Sequence, residues 1–351
     1  MQSRPMHGPC LGWIMAWLAL SSFGTGSTAV AQDGATTVPA EYGPVSISIE
    51  DVAYPFPVHY MPLVLYGEDV RMAYMDAAPV GAPNGRSVVL FHGLNFFGEY
   101  WRGTMETLRG QGFRVVAVDQ IGFGRSSKPI IPYTLGDHAA NTRQLLEHLG
   151  IGEAAVVGHS FGGMIATRFA LFYPETTTHL ALVNQIGLTD ARLSRPWRNT
   201  DEIYREELER DYPAIRSTFE RYYVRWRPEF ERHVRIHYGW TRSSEWPRLA
   251  MIRALNRQVI FAEPVVYDWP HIRPKTLVIG GEVDGPDFPA LARNVAETIP
   301  NAELVLFPAV GHNPHLEAPD LFHPELIRFL LSDPLPPPHA ACHAAAPGAR
   351  C

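Results

Sequence analysis

The sequence predicts an α/β fold: a mainly parallel sheet with helices on both faces and a helical insertion over one end. Three observations carry this. Short, continuous apolar runs recur, as expected of strands buried on both faces. Helical stretches alternate with these runs, and that alternation implies parallel strands joined by covering helices. The rhythm stops over residues 187–264, which are dense in Arg, Glu and aromatics without a convincing strand, and then resumes.

Taken in order, residues 58–66 and 70–77 are β-rich runs separated by Gly67-Glu68-Asp69, which reads as a hairpin. Residues 87–91 (SVVLF) are the first fully apolar run. A helix is expected at 101–111, a strand at 114–118 (RVVAV), a helix at 138–149, a strand at 154–157, a helix at 164–173 and a strand at 180–183. After the insertion come a strand at 276–279, a helix at 290–299, a strand at 303–307 and a helix at 319–331. No internal repeat is present. The expected organisation is a signal peptide (1–31), a core in two parts (45–186 and 265–332), a cap (187–264) and a disordered tail (333–351).

Composition narrows the function. Of 351 residues, 46% are hydrophobic and 19% charged, which allows one large core. The formal net charge of -6 provides no basic field for nucleic acid. Residues 11–20 (LGWIMAWLAL) form an apolar run too short to span a bilayer; Arg4 precedes it and Ala29-Val30-Ala31 follows. This is the pattern of a cleaved export signal, so a periplasmic or secreted protein with no stable membrane span is expected. Of the three cysteines, Cys10 would leave with the signal. Cys342 and Cys351 sit in a Pro- and Ala-rich tail, where a bridge would close a small loop outside the core. His339 and His343 flank Cys342, but the tail reads as frayed and without function. No cofactor and no metal are expected, and the oligomeric state is open.

The chemistry is carried by Gly158-His159-Ser160-Phe161-Gly162-Gly163, a G-x-S-x-G motif between an expected strand and an expected helix. The glycines leave room for a sharp turn that lifts the Ser160 hydroxyl above the sheet. The turn also aims a helix N-terminus at charge forming beside the serine. A serine hydroxyl needs a base. Among fifteen histidines, His312, in the loop after the last expected strand, can reach over the sheet edge; His315 reads as structural. The base needs an orienting carboxylate. Asp284, beside Gly285 at a strand end, is the first choice, Asp287 the reserve, and Glu282 reads as a turn or surface residue. An oxyanion hole would use the backbone N–H of Phe161 and of Leu94, in the His92-Gly93-Leu94-Asn95 loop.

These stations resemble the α/β-hydrolase superfamily, in the capped branch that holds esterases, epoxide hydrolases, haloalkane dehalogenases and carbon–carbon bond hydrolases. The matching segments are His92-Gly93-Leu94; Asp119-Gln120-Ile121-Gly122-Phe123-Gly124-Arg125-Ser126; the Ser160 turn; and Gly311-His312 with His315-Leu316-Glu317. The order Ser, acid, His is that of the superfamily. The resemblance implies an eight-stranded sheet, structural roles for Asp119 and Arg125, and a cap whose underside lines the pocket. Epoxide hydrolases and haloalkane dehalogenases use Asp at the elbow, so Ser160 points away from both. The expected substrate is a small acyl compound, most simply a carboxylic ester. A carbon–carbon hydrolase or a cofactor-free perhydrolase would use the same triad, and a non-catalytic binding protein is the alternative of another class. The cap aromatics Trp197, Tyr204, Phe219, Tyr222, Tyr223, Trp226, Phe230, Tyr238, Trp240 and Trp246 are expected to line the pocket or pack the cap. Glu206 with Arg210 and Glu231 with Arg235 are spaced to pair along helices.

Overall fold

The computed structural model describes residues 38–335. The expected signal peptide, Cys342, Cys351 and nearly all of the tail lie outside that range. Strands β1 (Val58–Leu65) and β2 (Glu68–Ala77) form the antiparallel hairpin. Its turn is Tyr66-Gly67, not Gly67-Glu68-Asp69. Both turn residues have positive φ, 52° and 82°, as a two-residue hairpin turn requires. Glu68 and Asp69 already pair with Leu65 and Val64.

Strands β3 (Ser87–Phe91), β4 (Arg114–Val118), β5 (Ala154–His159), β6 (Thr177–Val183), β7 (Lys275–Gly281) and β8 (Ala302–Phe307) complete an eight-stranded sheet in the order β1-β2-β4-β3-β5-β6-β7-β8. Only β2 runs against the rest. Side chains alternate along each strand, so each apolar run feeds two cores. Val89, Phe91, Val116, Val118 and Val156 enter one cluster, and Val88, Leu90, Val115, Ala117 and Val157 the other.

Helices α1 (Arg102–Gly110), α2 (Leu135–His148) and α3 (Phe161–Phe172) precede the insertion. The start of α2 lies three residues before the expected one, because Thr134 caps it by accepting the N–H of Asp137 at 2.9 Å. The insertion holds α4 (Thr200–Leu208), α5 (Tyr212–Glu220), α6 (Glu231–Thr241) and α7 (Trp246–Ala262); α8 (Phe288–Thr298), the one-turn α9 (Pro314–Glu317) and α10 (Pro319–Leu331) follow. The residues of α2, α3 and α8 fill the first core, and those of α1 and α10 the second. Among the described residues, no helix is long and apolar enough to cross a membrane.

Asp201–Arg205 and Arg216–Glu220 pair at helical spacing, but the two pairs named from the sequence do not form. Arg210 lies beyond the end of α4 and faces Glu207, while Glu206 binds Arg198 and Arg257. Glu231, on the inner side of α6, binds Arg216 of α5 rather than Arg235. The segment before β1, which carries no helix or strand signal, also contributes. Its Val45, Ile47 and Ile49 pack with Trp240, Trp246 and Leu249 of α6 and α7. The N–H of Val45 donates to Gly239 O at 3.0 Å.

Candidate active site

The carboxyl ends of β3, β5, β6 and β7 and the loop after β8 converge at one edge of the sheet, where open α/β sheets place their sites. Ser160 stands between β5 and α3 with φ 55° and ψ -119°, a strained conformation for a residue with a Cβ, costing about 1–3 kcal/mol. Close packing sets that turn. A Cβ on Gly158 would lie 2.3 Å from Gly162 O, and one on Gly162 would lie 2.4 Å from Phe91 O. Helix α3 therefore begins directly at Phe161, three residues before the expected start.

Asp284 follows β7, and its Oδ1 and Oδ2 lie 2.8 and 2.9 Å from His312 Nδ1. Asp287 lines the same cavity from an exposed position, without a hydrogen bond to His312 among the described residues. Glu282 is exposed, and its N–H donates to Phe307 O. His315 is buried in α9 with its ring 4.4 Å from that of Trp101. Ser160, Asp284 and His312 all line one cavity of about 590 Å³, together with Leu94. Its remaining wall is mainly apolar, including Phe96, Ile186, Leu188, Ile260, Phe288 and Leu291.

The Leu94 N–H takes part in no backbone hydrogen bond of the described residues. Phe161 N–H belongs to the first turn of α3, whose donors have no intrahelical acceptor. Of the cap aromatics, Tyr222 lines the cavity; Trp197 is 64% exposed, and Phe219, Tyr223, Phe230, Trp240 and Trp246 are buried in packing.

A layer of positioning residues, whose roles the motifs do not reveal, holds these groups. Asn184, at the end of β6, donates from Nδ2 to Asp284 Oδ2 at 2.9 Å and accepts the Gly281 N–H on Oδ1 at 3.0 Å. A polar residue closing the apolar run Leu180–Val183 was the available signal. His312 N–H donates to Tyr222 O at 2.8 Å, and the Tyr222 ring stacks on the imidazole at 4.8 Å. Glu317 Oε2 accepts the Gly311 N–H and its Oε1 the Val224 N–H. Beneath them, Gly93 N–H donates to Tyr100 OH, which donates to His159 Nδ1, while His159 Nε2–H donates to His312 O at 2.8 Å. This chain ties the β3 loop to the histidine loop. Asp119 is structural: it accepts from Gly98 N, Tyr54 OH and Arg125 N. Arg125 itself donates to the carbonyls of Glu50 and Val52.

The surrounding histidines are held neutral. Burial pushes His138 down to about 4 and His233 down to about 3 from the usual 6.5. Burial also holds His159, His237 and His315 well below it. With folded values depressed, the unfolded chain binds the extra protons between about pH 6.5 and 4. Stability is thus full above pH 6.5 and is lost as pH falls toward 4, with about 3 kcal/mol from His138 alone. Thermal melts from pH 7 to 4.5 should show Tm falling by on the order of 10 °C. A flat Tm over that interval would remove the buried neutral histidines from this account.

A family model described as the alpha/beta hydrolase fold matches residues 86–319. A solved structure of a probable hydrolytic enzyme from Pseudomonas aeruginosa PAO1 is 40% identical with a TM-score of 0.79, covering 83% of this chain and 100% of that one. The pimeloyl-[acyl-carrier protein] methyl ester esterase of Nitrosomonas europaea is 28% identical over 68% of this chain and 93% of its own length. A haloalkane dehalogenase of Mycobacterium marinum is 33% identical over 38% of this chain and 45% of its own. The chain spans only 31% of the length of an uncharacterized Mycobacterium tuberculosis protein that it matches at 37% identity.

Proposed function

The chain belongs to the α/β-hydrolase fold family, and on that premise we propose that it is an exported serine hydrolase that cleaves carboxylic esters or related acyl substrates. The observation that carries this reading is the Asp284–His312 pair at 2.8 Å, opening onto the same apolar cavity as the strained Ser160. The relative named for a methyl ester supports an ester as substrate. Export rests on the sequence of residues 11–31.

In this mechanism Ser160 Oγ attacks the acyl carbon and its proton passes to His312 Nε2. Asp284 accepts the Nδ1–H, fixing the tautomer and stabilising the imidazolium. The oxyanion rests on the N–H groups of Leu94 and Phe161, with the N-terminus of α3 behind it. His312 then protonates the leaving alkoxide and the alcohol departs, leaving the acyl group on Ser160. Water, deprotonated by His312, attacks the acyl carbon; the carboxylic acid leaves and Ser160 regains its proton. No cofactor enters any step.

A panel of p-nitrophenyl esters set against a vinylogous diketone tests the reading. Turnover of the esters with the diketone left intact is expected. Cleavage of the diketone without ester turnover would replace ester hydrolysis with carbon–carbon bond hydrolysis, and turnover of neither would remove the enzyme.

A further inference from the structure

A second cavity of about 590 Å³ lies in the cap among α4, α5 and α7, and shares only Leu94 and Asn95 with the catalytic cavity. Its chemistry is different. Four guanidiniums, those of Arg210, Arg221, Arg253 and Arg257, line it against three carboxylates. One of those carboxylates, Glu206, is also drawn to Arg198 at 2.8 Å from outside the cavity. Another, Glu207, is 2% exposed and serves three cations at once: Arg253 at 2.7 Å, Arg257 at 2.8 Å and Arg210 at 3.5 Å. Arg221 makes no ion pair among the described residues, and its guanidinium donates only to Ser217 Oγ.

Guanidiniums thus outnumber carboxylates along this lining by four to three, with Glu207 and Arg253 buried and Arg221 exposed. Burial raises the Glu207 carboxyl, but Arg253, Arg210 and Arg257 outweigh it and bring it to about 2. Burial, and then the charge of Arg253, brings Arg210 down to about 10. Arg210 shares the single carboxylate of Glu207 with Arg253 and Arg257, and Arg221 has no carboxylate partner among the described residues. Planar forks of this kind suit carboxylate or phosphate oxygens.

The cavity is also wired to the site. Arg253 binds Glu207 through Nε and donates from its other arm to Asn95 Oδ1 at 2.9 Å. Asn95 further donates from Nδ2 to Tyr222 OH at 2.6 Å and accepts His237 Nε2 on its backbone oxygen at 3.0 Å. Leu94, the candidate oxyanion donor, is its neighbour, and Tyr222 stacks on His312.

We propose that this cap cavity is an anion-binding site for a carboxylate or phosphate group, held by the unpaired Arg221 and by Arg210, which only shares Glu207, with Arg253 transmitting occupancy to the Leu94–Asn95 loop. The binding half stands on the cavity alone; the coupling half rests on the hydrolase reading. The anion is either free in solution or a group carried by the substrate.

Calorimetric titration of the protein with inorganic phosphate at low ionic strength tests the site, with the Arg210→Gln/Arg221→Gln double variant alongside and a thermal melt to show that it folds. Phosphate affinity should fall at least tenfold in the double variant. Two kinetic arms identify the source. If the anion is free, phosphate changes kcat on a neutral p-nitrophenyl ester in the wild type and not in the variant. If the substrate carries it, a p-nitrophenyl hemiester with a terminal carboxylate has a higher kcat/KM than its neutral isostere, and the variant loses that advantage. Phosphate binding that is absent, or equal in the two proteins, together with an unchanged hemiester preference would overturn the site. Weakened binding in the variant with neither kinetic arm responding would overturn the coupling while leaving the site. Because calorimetry needs no turnover, failure of the site and failure of the hydrolase reading are separable.

Discussion

Ser160→Ala should lower kcat on the best p-nitrophenyl ester by about 10⁴–10⁶-fold with little change in Tm. The size follows from the proposed role: removing the nucleophile of a triad leaves only the oxyanion donors and substrate binding, and such deletions cost about as much as removing the whole triad. The fold should tolerate the change. The strain at φ 55° belongs to the backbone and to the packing of Gly158 and Gly162, both of which alanine inherits. Steady-state rates with a parallel thermal melt check both halves. Hydrolysis within tenfold of wild type in a folded variant would place the chemistry elsewhere.

The second large effect concerns the orienting acid. In Asp284→Asn, an amide NH₂ can take the place of Oδ1, 2.8 Å from His312 Nδ1. Asn184 enforces that orientation. Its own Oδ1 is committed to the Gly281 N–H, so its Nδ2 must point at residue 284 and needs an oxygen there. The new amide then donates to Nδ1, pushing the proton to Nε2, where the imidazole can no longer accept the Ser160 proton. A loss of about 10⁴ in kcat is expected, as for a triad histidine held in the wrong tautomer. Asp287→Asn should stay within a few-fold of wild type. The opposite ranking, measured on the same ester, would make Asp287 the orienting acid.

Much of this architecture is legible in the sequence for a simple physical reason. A strand buried on both faces must be apolar throughout, so SVVLF and RVVAV announce themselves, and the order of the runs dictates a parallel sheet. The Ser160 turn is legible because only glycine fits 2.3–2.4 Å from backbone oxygens, and that demand spaces Gly158 and Gly162 around the serine. The hairpin turn was misplaced by one residue, because nothing local shows that Tyr66 adopts positive φ. The choice between Asp284 and Asp287 stayed open since both follow the same strand. What separates them is the reach to His312, a contact between residues distant in sequence. The roles of Asn184, Tyr100 and His159 were hidden for the same reason: each acts through a hydrogen bond to a distant loop. Glu206 and Glu231 went to partners outside their own helices, which helical spacing cannot anticipate, whereas Asp201–Arg205 and Arg216–Glu220 follow it.

The most direct measurement is covalent capture. Incubation with a fluorophosphonate ester, followed by intact-mass analysis and peptide mapping, should give one adduct per chain on the peptide carrying Ser160, absent from Ser160→Ala and much slower to form in His312→Asn. An unlabelled wild-type chain, or an adduct on another serine that persists in Ser160→Ala, would contradict an activated Ser160.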